Sequence, residues 1–390
     1  MLRRGVVHRL ATQDYALPLE VQEALCSPAL VLYATKIRRN IDKVLAASGG
    51  RWRPHIKTVK CDAVFGMLLD AGVRRFKCAT PREARTLCAA LDARGVVDGD
   101  VLVAFPHVGP NLATLEEIRK ATSVRLSVLV EDATPTSLDV FFDVNPGMDR
   151  SGAPLSIAAD VLADVRRATG PRFRGVHCYD GHATRLGNSR SEWEPELFKV
   201  YDDLLRLVEP GDEVVTAGTP AMLSSLAHPG LRSLDDHTVS PGTVVLSDMN
   251  CEEQLPELGL EPAALVFSRV ISRPTEDVVT ADAGVKALAA DAGHPMACVV
   301  GHPEWVPLKP SEEHLPIRVP TDARPHRGHP LYLVPRHVCP TVNLAENALL
   351  VDNDGDSFSV VNINARAHDL LRDPKITTLI PGHAPAYTVP

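Results

Sequence analysis

Leu30-Val31-Leu32-Tyr33, followed by Ile37, Ile41 and Val44 and then by Trp52-Arg53-Pro54-His55-Ile56, is the stretch that decides the fold. The first run is short and apolar, which is how a strand buried on both faces reads. The next apolar positions fall three and four apart, the spacing of one helix face. The third run is a strand again. Strand, helix and strand in so few residues make a βα unit, and the rhythm recurs at Phe76-Lys77-Cys78, Val101 to Phe105, Leu126 to Val130, Val140 to Val144, Gly175 to Tyr179 and Glu213 to Thr216. Eight such strands predict an α/β fold, a (β/α)8 TIM-type barrel over residues 25–260.

Beyond Ala263 the rhythm changes. Ala264 to Ile271, Val278-Val279-Thr280, Ala297 to Val300, Leu315 to Val319, Leu331-Tyr332-Leu333, Leu349-Leu350-Val351 and Ser359 to Ile363 are strand-like and separated by Pro, Gly and Asp. They predict a β-rich second domain, which the length of 390 residues accommodates.

Composition excludes several function classes. A formal charge of −8, with no Lys/Arg stripe, argues against a nucleic-acid partner. No apolar run nears the roughly 20 residues that span a bilayer, so no membrane insertion is expected. Met1 to His8 is basic but leads into no apolar block, which predicts a cytoplasmic protein. The eight cysteines form no C-x-x-C pair and no evident disulfide framework.

Five segments could carry chemistry. In Arg53-Pro54-His55-Ile56-Lys57-Thr58-Val59-Lys60, Lys57 stands at a strand end, where a desolvated amine can form an imine with an aldehyde; the alternative is a surface lysine beside a turn. In Pro335-Arg336-His337-Val338-Cys339-Pro340-Thr341, a strand would put His337 and Cys339 on one face, a donor pair that suits zinc; the alternative is a coincidental pair in a β core. Gly175 to His182 ends a strand with Tyr179, Asp180 and His182, either proton-transfer groups or a plain turn. Thr216-Ala217-Gly218-Thr219-Pro220 could cradle a phosphate, as many βα turns could. Arg150, within Asp143 to Gly152, could meet a carboxylate or ring nitrogen, or form a surface ion pair.

In this order the segments resemble the pyridoxal-phosphate proteins of fold type III, specifically the D-threonine aldolase and D-serine dehydratase group with its alanine racemase-like barrel. The similarity runs from about Pro28 to Ala367. The group's Arg-Pro-His-x-Lys-x-His-Lys block aligns with Arg53 to Lys60, implying that Lys57 carries the cofactor beside His55. Its Gly-x-x-Arg-x-Gly loop falls on Gly147 to Gly152, implying that Arg150 faces the pyridine ring, and its Gly-Thr turn on Gly218 and Thr219, implying phosphate contacts. Asp282 to Ala287, Glu312-Glu313-His314 and the His337/Cys339 pair followed by Pro340-Thr341 complete the pattern. Val59 stands where the group has His, and Thr216-Ala217-Gly218 replaces a richer glycine run. Tyr179 and His182, with His302-Pro303-Glu304-Trp305, look like an aldolase subgroup. Cys339 looks like the dehydratases.

The resemblance implies pyridoxal 5'-phosphate and a divalent metal, zinc before manganese or magnesium. It further implies residues 1–24 joining 261–390 in the second domain, a homodimer, and Lys57, Arg150, Tyr179 and His182 acting on a D-amino acid. The activity implied is retro-aldol cleavage of a D-β-hydroxy-α-amino acid to glycine and an aldehyde. The alternatives are a D-serine or D-3-hydroxyaspartate dehydratase giving a keto acid and ammonia, and a non-catalytic pyridoxal-phosphate-binding protein.

Overall fold

The computed structural model describes residues 10–187, 189–352 and 356–372. Met1 to His8, whose composition bears on localisation, lies outside them. No described helix is long and apolar enough to cross a membrane.

Seven strands pair in parallel in chain order: Arg75–Cys78, Asp100–Pro106, Arg125–Val130, Asp139–Asn145, Phe173–Cys178, Glu213–Thr216 and His237–Val239. The gap between the first and last is spanned by Arg51 to Ile56. Arg53 N–H donates to the Val239 carbonyl at 2.9 Å, and Ile56 N–H to the Lys77 carbonyl at 2.7 Å. Pro54 lacks an N–H, so this stave forms isolated bridges, Trp52 to Val239 and His55 to Lys77, in place of a full ladder. Amphipathic helices pack outside. Ala34–Ser48 buries Ile37, Ile41 and Val44 and stops at Gly49, whose φ of 59° closes the last turn. Pro81–Ala93 starts where the Thr80 hydroxyl accepts the Glu83 N–H at 3.1 Å.

One strand of the expected barrel belongs elsewhere. Ala29–Tyr33 pairs antiparallel with Ala264–Ser272 and parallel with Asn347–Asp352, within the second sheet. An apolar run records burial on both faces but not the identity of its neighbours, which is why it reads as a barrel strand. The true closing partner, His237–Val239, is three residues long and begins with a histidine, too short and polar to stand out. In the second sheet Ala264–Ser272 also pairs with Val278–Ala281 and Pro330–Pro335, and these carry Leu315–Arg318 and Ala297–Val299.

Strand alternation layers the barrel interior. At the N-terminal end, Arg53 and Arg174 meet Asp100 and Glu213: Arg174 Nη1 donates to Asp100 Oδ1 at 2.8 Å and Nε to Glu213 at 2.7 Å, while Arg53 Nη1 reaches Asp100 at 3.1 Å. Both guanidiniums lie over the Phe141 ring, at 5.7 and 4.9 Å. Leu102, Leu129, Phe141 and Val215 form an apolar layer above this ionic floor. The mouth lies beyond this layer, at the C-terminal ends of the strands.

Candidate active site

The Arg53-Pro54-His55-Ile56-Lys57 stave shows how the mouth is built. Period two turns Arg53 and His55 the same way, so Arg53 enters the floor while His55, with Lys57 in the turn that follows, lines a cavity of about 690 Å³ at the strand C-terminal ends. Chain geometry separates the two candidate lysines. Lys60, at φ 49°, turns away and forms an ion pair with buried Glu83, whereas Lys57 faces the cavity. Val59, where the family pattern has His, is 1% exposed and packs in the core. The Lys57 N–H donates to His55 Nδ1 at 3.4 Å. Burial, reinforced by Lys57, Lys77 and Lys60, drives the His55 imidazole well below its ordinary pKa, so it is neutral.

Beneath Lys57 lies a relay that the motif reading missed. Lys77 Nζ is 3.2 Å from His177 Nε2, His177 Nδ1 is 2.7 Å from Asp143 Oδ1, and Ser151 Oγ donates to Asp143 Oδ2 at 2.9 Å. Burial, then the charge of Lys57, push the Lys77 amine down to about 7. His177 is also lowered, by burial and by Lys77, against the pull of Asp143. Lys77, Asp143 and His177 all point inward at strand C-terminal ends, a signal that inward parity alone could have supplied.

Tyr179 stands on the wall, with the Arg150 guanidinium 4.6 Å and Lys77 Nζ 5.7 Å from its ring centre. The ring fits because its neighbours are glycines: a Cβ on Gly218 would lie 2.9 Å from Tyr179 Cε2, and one on Gly181 2.4 Å from Cε1. Arg150 is carried by a tight loop in which Asn145 Oδ1 accepts the N–H groups of Gly147 and Asp149 at 3.0 and 3.1 Å.

The remaining cluster residues divide. Asp180 is fully buried and points away from the mouth, accepting the Gly218 N–H at 3.1 Å and the Tyr201 hydroxyl. Its carboxyl is raised by burial, and it shapes the turn in place of transferring protons in the cavity. Gly218 thus spends its N–H on Asp180 and contributes room for the Tyr179 ring. Thr219 lines the cavity, as does Ser240, whose buried hydroxyl has no hydrogen-bond partner among the described residues. Ala217 sits at φ 56°, a left-handed conformation that explains the glycine in the family pattern. His182 packs against the Pro146-Gly147 loop outside the cavity lining.

His337 and Cys339 also line this cavity, but not from a strand. The strand Pro330–Pro335 ends before them, and they straddle the start of the helix Val338–Leu344, with His337 at its N-cap. Pro340, which cannot donate in a ladder but is tolerated in a first helical turn, accounts for the difference. Buried Asp248 holds this helix start, accepting the Val338 N–H at 2.8 Å and the Cys251 N–H at 2.7 Å. Cys339 Sγ lies 3.1 Å from Thr58 Oγ1 and 3.4 Å from Thr243 Oγ1, and His337 Nδ1 lies 2.6 Å from Asp291 Oδ2. Burial opposes both charges, yet the mutual contact wins: Cys339 is lowered and His337 rises to about 9. Imidazole and thiolate form a donor pair matched to a borderline-soft divalent ion.

Other family blocks lie outside the cavity. Asp282 accepts Ser27 Oγ and Ser268 Oγ, each at 2.6 Å, and a Cβ on Gly284 would come 2.2 Å from the Glu312 carbonyl, so Asp282 to Ala287 and Glu312-Glu313-His314 pack on one another. His302 stacks on Trp305 at 3.8 Å in the second domain.

A parallel barrel with a lysine at its mouth, facing a strand-rich domain that brings in a His/Cys pair, defines a pyridoxal-phosphate protein of fold type III. Residues 33–247 match the family model "Alanine racemase, N-terminal domain", and residues 263–351 match "Putative serine dehydratase domain". The chain belongs to the alanine racemase N-terminal-domain family, in its D-threonine aldolase and D-serine dehydratase group. It is 28% identical to a D-threonine aldolase of Arthrobacter sp over 393 residues, covering 94% of this chain and 99% of that one. The solved D-threonine aldolase from Filomicrobium marinum superposes with a TM-score of 0.75 at 25% identity, covering 87% of this chain and 95% of that one. D-threo-3-hydroxyaspartate dehydratase from Delftia sp. HT23 shares the fold, with a TM-score of 0.71 at 20% identity over 89% of this chain and 99% of that one.

Proposed function

We propose that this protein is a pyridoxal-phosphate- and metal-dependent lyase that cleaves D-β-hydroxy-α-amino acids to glycine and an aldehyde. One observation carries the proposal: Lys57 and the His337/Cys339 pair open onto one cavity, tied together where Thr58 contacts Cys339 at 3.1 Å. A single small amino acid can then reach both centres.

The residues fit the cofactor. Lys57 supplies the amine, Thr219 and the Ser240 hydroxyl face a phosphate position, and Tyr179 and His55 border the space for the ring, with Arg150 stacked on Tyr179 outside the cavity lining. Pyridoxal phosphate supplies an electron sink for bonds at the α-carbon. A divalent ion on His337 and Cys339, zinc before manganese or magnesium, supplies a Lewis acid for the β-hydroxyl oxygen. Lys77 and His177 share a proton in the buried layer behind the cavity lining, and His182 supports the loop that carries Arg150. We further propose a cytoplasmic homodimer.

Cys339 favours a second reading, a dehydratase of D-serine or D-3-hydroxyaspartate, because a soft thiolate suits zinc, which would supply a Lewis acid for a leaving hydroxyl. Products separate the two. D-Threonine and D-serine are incubated with the protein, pyridoxal phosphate, and zinc, manganese or EDTA. Metal-dependent glycine and acetaldehyde from D-threonine are the expected result. A keto acid with ammonia would replace the aldolase by the dehydratase, and cofactor binding without any metal-dependent product from these or bulkier β-hydroxy amino acids would leave a non-catalytic binding protein.

A further inference from the structure

The loop after Leu288 has no motif and no assigned role, yet it delivers one carboxylate to the cavity. Asp291 Oδ2 lies 2.6 Å from His337 Nδ1. An imidazole has two nitrogens, and a hydrogen bond at one decides which lone pair the other offers. With Nδ1 engaged by Asp291, the nitrogen that remains on the Cys339 side to meet a metal is Nε2. Asp291 is half exposed, its side chain at 52%, and lines the cavity.

The loop is fixed to the turn that bears the donors. Ala289 N–H donates to Thr341 Oγ1 at 3.1 Å, and Thr341 Oγ1 donates to the His337 carbonyl at 2.9 Å. At the other end Arg336 Nε donates to the Pro295 carbonyl at 2.7 Å and its N–H to the Met296 carbonyl at 2.8 Å. The loop that carries Asp291 is therefore tied at both ends to the turn that carries His337. Among the described residues no group of three or more His, Cys, Asp or Glu is arranged to hold a metal, and the candidate donors here are His337 and Cys339. With so few donors, affinity depends strongly on how each is oriented and polarised.

We propose that Asp291 is a positioning residue for the metal centre, fixing the His337 ring so that Nε2 faces the ion. This rests on the reading of His337 and Cys339 as ligands. It assigns Asp291 outside the coordination sphere, because its carboxylate is engaged on the ring nitrogen the ion does not use. Thr58 and Thr243 play the matching part for the Cys339 sulfur.

The test is zinc affinity, read by competition with a chromophoric chelator on protein loaded with pyridoxal phosphate and stripped of metal with EDTA. Asp291→Asn should weaken zinc binding by about 10–100-fold and Asp291→Glu by less, as outer-sphere partners of metal-bound histidines generally do. The metal-free variants should melt with the wild type, which separates positioning from folding. Equal affinity in wild type and Asp291→Asn overturns the role of Asp291 while leaving the ligands standing. If the wild type binds no zinc, or Cys339→Ala binds it as tightly as wild type, the ligand reading falls and this inference with it.

Discussion

Lys77 is 2% exposed and has an uncharged imidazole for its nearest partner. Its surroundings mix signs: Lys57 and Arg53 repel a charge there, while Asp180 and Asp143 favour one, and burial outweighs all of them. A folded-state pKa of about 7, against the ordinary lysine value of about 10.4, means that the unfolded chain binds more protons between those pH values. Lys77 therefore destabilises the native state in full below pH 7, and the penalty fades as pH rises toward 10. Lys77→Met should raise stability at pH 6, with the advantage over wild type shrinking at pH 8 and vanishing near pH 10, as measured by urea unfolding of the cofactor-free protein. An advantage that grew with pH would show that Lys77 is held as a charged partner instead. The same residue gives a measure of what sequence conveys. Lys57 was found because it stands in a motif; Lys77 and His177 stand inside ordinary strand runs, and only their inward parity marks them.

At the scale of elements, the ionic floor is the feature most open to test. Burial alone would raise the Asp100 carboxyl, but Arg53 and Arg174 outweigh it and hold the group well below the usual carboxylate range. Removing one partner leaves buried guanidinium charge uncompensated, which generally costs about 3–5 kcal/mol. Asp100→Ala should lose stability of that order in denaturant melts, and the contribution of Asp100 in the wild type should be present above the ordinary carboxylate pKa of about 4 and disappear as pH falls below it. A loss under about 1 kcal/mol would mean that the floor is hydrated and its charges screened. Element identity was legible wherever periodicity and burial agree, as in the helix Ala34–Ser48 and the strands from Arg75–Cys78 to Glu213–Thr216. It failed where partner choice decides. Ala29–Tyr33 has the composition of a barrel strand but joins the second sheet, and His337 and Cys339 meet through a helix start in place of strand alternation. Asp180 looked like a mouth residue, yet its register sends it to Gly218 and Tyr201. Asp291 had no signal at all, because its partner is 46 residues away.

In the whole molecule, the barrel contributes Lys57, Tyr179 and Thr219, and the second domain contributes His337, Cys339 and Asp291, to one cavity of about 690 Å³. Neither part holds both centres, so the account stands on their acting together on one substrate. The most direct measurement is the rate of D-threonine cleavage, with L-threonine as control, by wild type and Cys339→Ala, each stripped with EDTA and then given back zinc. The account predicts that wild type loses activity on stripping and regains it with zinc, that Cys339→Ala regains little while still binding pyridoxal phosphate, and that L-threonine is inert throughout. Full activity on D-threonine in EDTA, or full recovery by Cys339→Ala, would contradict it.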